Sequence, residues 1–148
     1  MLLVSSCSDS TPVSPVADEP GGTNLNQSSR IVGLYVGHTG WLRRDGIVSV
    51  RVEAFCRPGY EVAEAGPLSL TQRQGDREAY GEGFAQVQLG GCSGQWENGI
   101  VRVQQFEEPR FRPGSARVSM TFAVVQSSDP DNIQQVSVVK EITIRRVH

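Results

Sequence analysis

Apolar and polar positions alternate over most of the chain after Arg30. In the run Ile47–Phe55, extended by Cys56, the residues Val48, Val50, Val52, Ala54 and Cys56 share one parity, the mark of a strand with one buried face. The longest clean alternation sets Ala116, Val118, Met120, Phe122 and Val124 against Arg117, Ser119, Thr121, Ala123 and Val125, and predicts a strand crossing the middle of a sheet. A first strand carries Val32, Leu34 and Val36, with Gly37-His38-Thr39-Gly40 interrupting or bulging it. Asp45-Gly46 then predicts a hairpin, because both residues tolerate positive φ, and makes the first two strands antiparallel neighbours. Pro67–Gln74 gives a third strand with Leu68 and Leu70 inward, followed by a polar turn at Gln74–Arg77. Glu82–Leu89 gives a fourth with Ala85, Val87 and Leu89 on one face. Gln95–Phe106 gives a fifth with Val101 and Val103 inward, in which Asn98-Gly99 is a bulge or a tight turn. A corner at Glu107–Gly114 leads into the long strand. Asp129–Asn132 predicts the turn to a last strand whose inward face is Val136, Val138, Ile142 and Ile144. Lys140 shares that parity, which predicts a bulge or a lysine whose stem is buried and whose ammonium reaches water. Glu61–Ala65 alone has mild helical character, over a length too short to stand as a helix.

Seven strands separated by turn signals, with no convincing helix, read as an all-β, antiparallel, immunoglobulin-like β-sandwich over residues 30–148. Two of its strand-like runs end in cysteine, at Cys56 and Cys92, which predicts one disulfide beside the core. Trp96 is expected to pack close to it. The order of alternating strand, Cys56, glycine-rich strand, Cys92-Ser93-Gly94, Trp96 and Phe111-Arg112-Pro113-Gly114-Ser115-Ala116-Arg117-Val118 resembles that of small secreted immunoglobulin-like domains of GC-rich Gram-positive bacteria. The activity of those domains is unassigned. The chain departs from antibody domains, since Trp96 follows the second cysteine and no tyrosine stands two residues before it.

Residues 8–29 are rich in Ser, Thr, Pro, Asp, Asn and Gln and carry too few apolar side chains to offset their ordering entropy, so a flexible tether is expected there. Ahead of it, Val4-Ser5-Ser6-Cys7 resembles the lipobox of bacterial lipoproteins, and the resemblance implies a lipid on Cys7. The pairing of Cys56 with Cys92 leaves Cys7 as the odd cysteine, which lipidation would explain. The apolar run Leu2-Leu3-Val4 is shorter than a signal segment needs, so residues 1–7 are either its remnant or a coincidence. Asn26-Gln27-Ser28 matches a glycosylation acceptor that carries no weight in a bacterial chain.

Charge narrows the partners. All 14 basic residues lie at or after Arg30, against 13 acidic ones once Asp9, Asp18 and Glu19 are set aside from the total of 16, a balance of about +1. No nucleic-acid footprint follows from so even a distribution. No apolar run reaches the length of a membrane-spanning helix, which leaves a lipid anchor as the expected membrane contact.

Catalytic chemistry is hard to assemble. The two histidines, His38 and His148, fall in a loop and at the terminus, and no nucleophile elbow or phosphate-cradling loop is present. Gly81-Glu82-Gly83 is a strand start rather than a fragment of a dinucleotide fingerprint. Asp129, Asp131 and Asn132 lack the glycine and distal glutamate of a calcium loop. Neither Glu107-Glu108 nor Glu61 with Glu64 has the buried, unequal setting of an acid/base pair. No enzyme, metal or cofactor is expected. Tyr35, Trp41, Phe55 and Phe106 fall on outward or loop positions and form the candidate binding surface. The expectation is therefore a non-catalytic binding or structural module, monomeric, secreted or lipid-anchored at the cell envelope, with a protein or glycan partner. A carbohydrate-binding module using Trp41, Tyr35 and Phe106 is the alternative, and a small hydrolase centred on His38 is a third reading.

Overall fold

The structure, a computed structural model, describes residues 30–85 and 91–148. Eight strands run in order as β1 (Val32–Leu42), β2 (Val48–Cys56), β3 (Tyr60–Ala65), β4 (Leu68–Gln74), β5 (Arg77–Gly83), β6 (Glu97–Val103), β7 (Gly114–Gln126) and β8 (Asp129–Arg146). They form one mixed, mostly antiparallel sheet in the order β5-β4-β7-β8-β1-β2-β6, with β3 paired to β7. The inward parities read from sequence are the buried ones: Val48, Val50 and Val52 on β2, Val101 and Val103 on β6, and Val118, Met120, Phe122 and Val124 on β7.

Several expectations are corrected. Glu61–Ala65 is extended, not helical: Tyr60 to Ala65 pair antiparallel with Gln126 to Phe122. A five-residue helix is marginal by itself, whereas the flank of β7 offers a ready ladder. β3 and β4 lie on that same flank and act as one long strand interrupted at Gly66-Pro67, since β4 resumes the pairing at Ser69↔Ser119. The fourth strand lies earlier than Glu82–Leu89. β5 covers Arg77–Gly83 and pairs with β4 from Gln74↔Arg77 to Leu68↔Gly83. Its inward residues are Ala79 and Gly81, whose small size gives no apolar signal. Val87 and Leu89 lie outside the described residues. Asn98-Gly99 makes neither bulge nor turn, because both pair regularly with Glu53 and Val52. The turn into β8 falls at Ser127-Ser128, and residues 130–132 bulge between the pairs Gln126↔Asp129 and Val125↔Ile133. The sheet is not wholly antiparallel either. β1 and β8 run parallel from Thr39↔Thr143 to Leu42↔Arg146.

Other features match the pattern. Asp45-Gly46 closes the β1–β2 hairpin, with Gly46 at φ +88° and the Ile47 N–H donating to Asp45 Oδ1 at 3.0 Å. β1 is bulged between Val36 and Gly40. Lys140 points inward, and its Nζ donates to the Val36 carbonyl at 2.7 Å, where β1 leaves β8. Cys56 and Cys92 form a disulfide with Cα atoms 5.2 Å apart. Cys92 itself lies outside any strand, and its N–H donates to the Tyr60 carbonyl at 2.9 Å.

The two ends of the strand order meet. Glu82 and Gln104 exchange backbone hydrogen bonds of 3.1 and 2.9 Å, and Ala85 bridges Val101. The sheet therefore curls round an apolar interior until β5 lies against β6.

Candidate binding face at the meeting of β5 and β6

Close approach of β5 to β6 is a matter of missing side chains. A Cβ built on Gly81 would stand 2.7 Å from the Gln104 carbonyl oxygen and 2.8 Å from Val103 Cγ1, and one on Gly83 would run into the Arg102 carbonyl. Both distances lie inside van der Waals contact, so only glycine fits facing β6 here. With the inward side of β5 reduced to Ala79, Gly81 and Gly83, its informative side chains all face out. Tyr80 is 48% exposed and Phe84 65% exposed.

The outer side of β6 and the residues after it match this. Ile100 is 48% exposed and Phe106, just beyond the strand, 83% exposed. Phe84 and Phe106 both line an open cleft of about 540 Å³ together with Glu82, Gly83, Arg102 and Gln104. Phe106 and Gln104 also border a second cleft of about 370 Å³ that includes Asp45, Glu107, Glu108 and Arg110. Phe106 thus borders both clefts, each of which also carries charged and amide side chains. The corner that follows Phe106 is fixed by three glutamines. Gln72, 4% exposed, donates through Nε2 to the carbonyls of Arg112 (2.7 Å) and Ser115 (3.3 Å), and its Oε1 accepts from the Arg112 N–H at 2.8 Å. Gln74 Nε2 donates to Gln72 Oε1 and to the Arg110 carbonyl. Gln105 donates to the Pro109 carbonyl and accepts from the Phe111 N–H. These amides supply the partners that a loop lacks when no ladder is available.

Tyr80 hydroxyl donates to Glu82 Oε2 and lies 3.4 Å from Ser69 Oγ. The hydrogen bond to Glu82 raises the Tyr80 pKa above its usual 10.0, the contact with Ser69 opposing it. The face therefore presents a neutral phenol, two phenyl rings, a guanidinium and amide groups side by side.

The structure scatters the sequence candidates. Phe106 belongs to the face just described. Trp41, 47% exposed, sits on the same outer side: it pairs with Ser49, and Ser49 with Arg102, so it lies two strands, about 10 Å, from the cleft. Tyr35 is half-buried elsewhere, with the Lys140 ammonium 4.9 Å from its ring centroid and the His38 ring edge-on at 6.0 Å. Phe55 is corrected from exposed to buried. It does face outward from β2, but Trp96 covers it with ring centroids 5.8 Å apart, leaving it 5% exposed. Trp96 accordingly is half-buried on the outer side of the sheet, above Gly33 and against the neighbour of Cys56, and not in the apolar interior. Its Nε1 is buried without a partner among the described residues. Cys7 lies outside the described residues.

Sequence reasoning passed over Tyr80, Phe84 and Ile100. The available signal was the alternation of Tyr80, Glu82 and Phe84 with Ala79, Gly81 and Gly83, in which small residues take the place usually held by valine or leucine. His38 and His148 line neither cleft. Among the described residues, no group of three or more His, Cys, Asp or Glu side chains is placed to hold a metal ion, and no helix is long and apolar enough to cross a membrane. Comparison with protein families, with curated proteins and with solved structures finds no match to this chain.

Proposed function

We propose that this chain is a non-catalytic binding module of the cell envelope, secreted or lipid-anchored through Cys7, whose contact face is the outer side of the β5–β6 meeting. The observation that carries the reading is the pair Phe84 and Phe106, 65% and 83% exposed, on one cleft. Large apolar side chains gathered this way on a protein surface mark an interaction site more often than singly scattered ones do. The scaffold in this reading is an immunoglobulin-like sandwich, with β5, β4, β7 and β8 as one layer and β1, β2 and β6 as the other; the strand order and the change to parallel pairing between β8 and β1 support that division. The disulfide supports an oxidising compartment outside the cytoplasm.

A glycan is the second reading, favoured by the presence of Gln104, Glu82 and Arg102 on the same cleft as the two rings. Planar rings flanked by amide and charged groups suit a sugar, which offers an apolar face and hydroxyls at its edge. The test is retention of the purified protein on envelope polysaccharide and on immobilised envelope proteins, compared with the Phe84→Ala and Phe106→Ala variants. The proposal expects both variants to lose retention by at least tenfold while their thermal unfolding stays that of the parent. Equal retention of parent and variants would remove this face from consideration. Loss on polysaccharide alone would select the glycan.

A further inference from the structure

β8 is the longest strand, and its two edges are treated differently. β7 pairs with it from Asp129 to Ile144, whereas β1 meets the opposite edge only from Thr143 to Arg146. Upstream of Thr143 that second edge has no strand partner among the described residues. Its ends are guarded, by Asp129-Pro130-Asp131 at one side and by Lys140, engaged with Val36, at the other. Between them Asn132-Ile-Gln-Gln-Val-Ser-Val-Val139 contains no charge, no proline and no glycine. Exposed edges are ordinarily blunted by such residues, because a row of unpaired backbone groups is a template for another strand. Two of the largest exposed apolar side chains, Ile133 at 60% and Val139 at 61%, stand on the outer face of this same stretch.

We propose that this edge pairs with the same edge of a second copy of the chain, antiparallel and two-fold symmetric about Val136. That register sets Ile133 of each copy against Val139 of the other and Gln135 against Ser137. It gives each exposed apolar residue one apolar partner, in two symmetric pairs, and adds backbone hydrogen bonds along the stretch. The stretch from Asn132 to Val139 meets itself with no like charges opposed; just outside it the same register sets Asp131 of each copy against Glu141 of the other, a repulsion that the apolar and backbone contacts between them must outweigh. The monomer expected from sequence thus becomes a self-associating domain, with the β5–β6 face left open for its partner.

Sedimentation velocity of the full chain over a range of concentrations tests this, with two double variants. Parent protein is expected to dimerise reversibly. Ile133→Lys with Val139→Lys places lysine opposite lysine and is expected to raise the dimer dissociation constant at least tenfold. Ile133→Glu with Val139→Lys places opposite charges across the interface and is expected to keep the dimer. Circular dichroism of each variant should match the parent, since both positions are exposed. A parent monomeric at every concentration overturns the proposal, as does a dimer that both variants weaken equally or that neither affects.

Discussion

β7 and β8 hold together along a ladder of thirteen residue pairs, from Gly114↔Ile144 to Gln126↔Asp129. β5 and β6 hold together at two isolated bridges, Glu82↔Gln104 and Ala85↔Val101. The first contact is made by alternating apolar side chains over twelve consecutive pairs, from Gly114↔Ile144 to Val125↔Ile133, with the register shifting only at the hairpin end. The second depends on two glycines whose lack of a Cβ lets the backbones meet. Cooperative pairing tolerates local change, whereas a close approach fixed by sterics does not. The difference also explains why the candidate binding face lies at the weaker junction. Glycines facing inward leave β5 with only its outward side chains to present, and few neighbouring strands to cover them.

The largest change should come from the disulfide, which ties the end of β2 to the segment between β5 and β6. Replacing Cys56 and Cys92 together by alanine frees a loop of sequence separation 36 and is expected to lower stability by about 4 kcal/mol on the chain-entropy account. Denaturant titration of oxidised parent and double variant measures it. Next, Gly83→Ala forces a Cβ against the Arg102 backbone and is expected to destabilise by roughly 3 kcal/mol, the upper end for overpacking. Ser119→Ala on the outer side of β7 should change stability by no more than about 0.5 kcal/mol. Equal effects of the two would dissolve the distinction between the junctions.

Gln72→Leu sharpens the account of the corner after Phe106. It leaves the half-buried N–H of Arg112 without its acceptor and removes the donor to two carbonyls, at a cost of about 2 kcal/mol. An unchanged denaturation midpoint would mean that the corner is held by other contacts. The smallest effect concerns pH. Tyr80 has its folded-state pKa raised by Glu82, so the stabilisation it contributes is present below the ordinary tyrosine value and is lost as pH rises through the raised one. Glu82→Gln should return this ionisation to its usual position. The difference in tyrosinate absorbance between parent and variant along an alkaline titration reports it.

Much of the fold was legible because the alternation of apolar and polar residues is unambiguous on β2 and β7, where both the inward parity and the central position of β7 follow from it. The disulfide was legible for the same reason, Cys56 being in phase with Val48, Val50 and Val52. β5 was hard to place because its inward positions are Ala79, Gly81 and Gly83, which a search for apolar alternation passes over. β3 was misread because Glu61-Val62-Ala63-Glu64-Ala65 has good helix formers, and the flank of β7 overrides so short a propensity. Parity gave Phe55 its outward direction correctly, but could not show that Trp96, about forty residues later in the chain, would fold back to cover it. Long-range covering of this kind is a tertiary event that local patterns do not encode. The candidate face unites residues from β5 and just beyond it with residues of β6 and just beyond it, and only the curl of the sheet brings them together.

Amide hydrogen exchange is the most direct test of the central claim that β5 and β6 meet through glycines and not through a ladder. In the parent, the N–H groups of Glu82 and Gln104, which form the reciprocal pair, should be protected, though less than those in the middle of β7 and β8. In Gly83→Ala, protection of those two amides should collapse while the β7–β8 amides keep theirs. Retention of the parent pattern in the variant, or uniform loss across both junctions, would contradict the account.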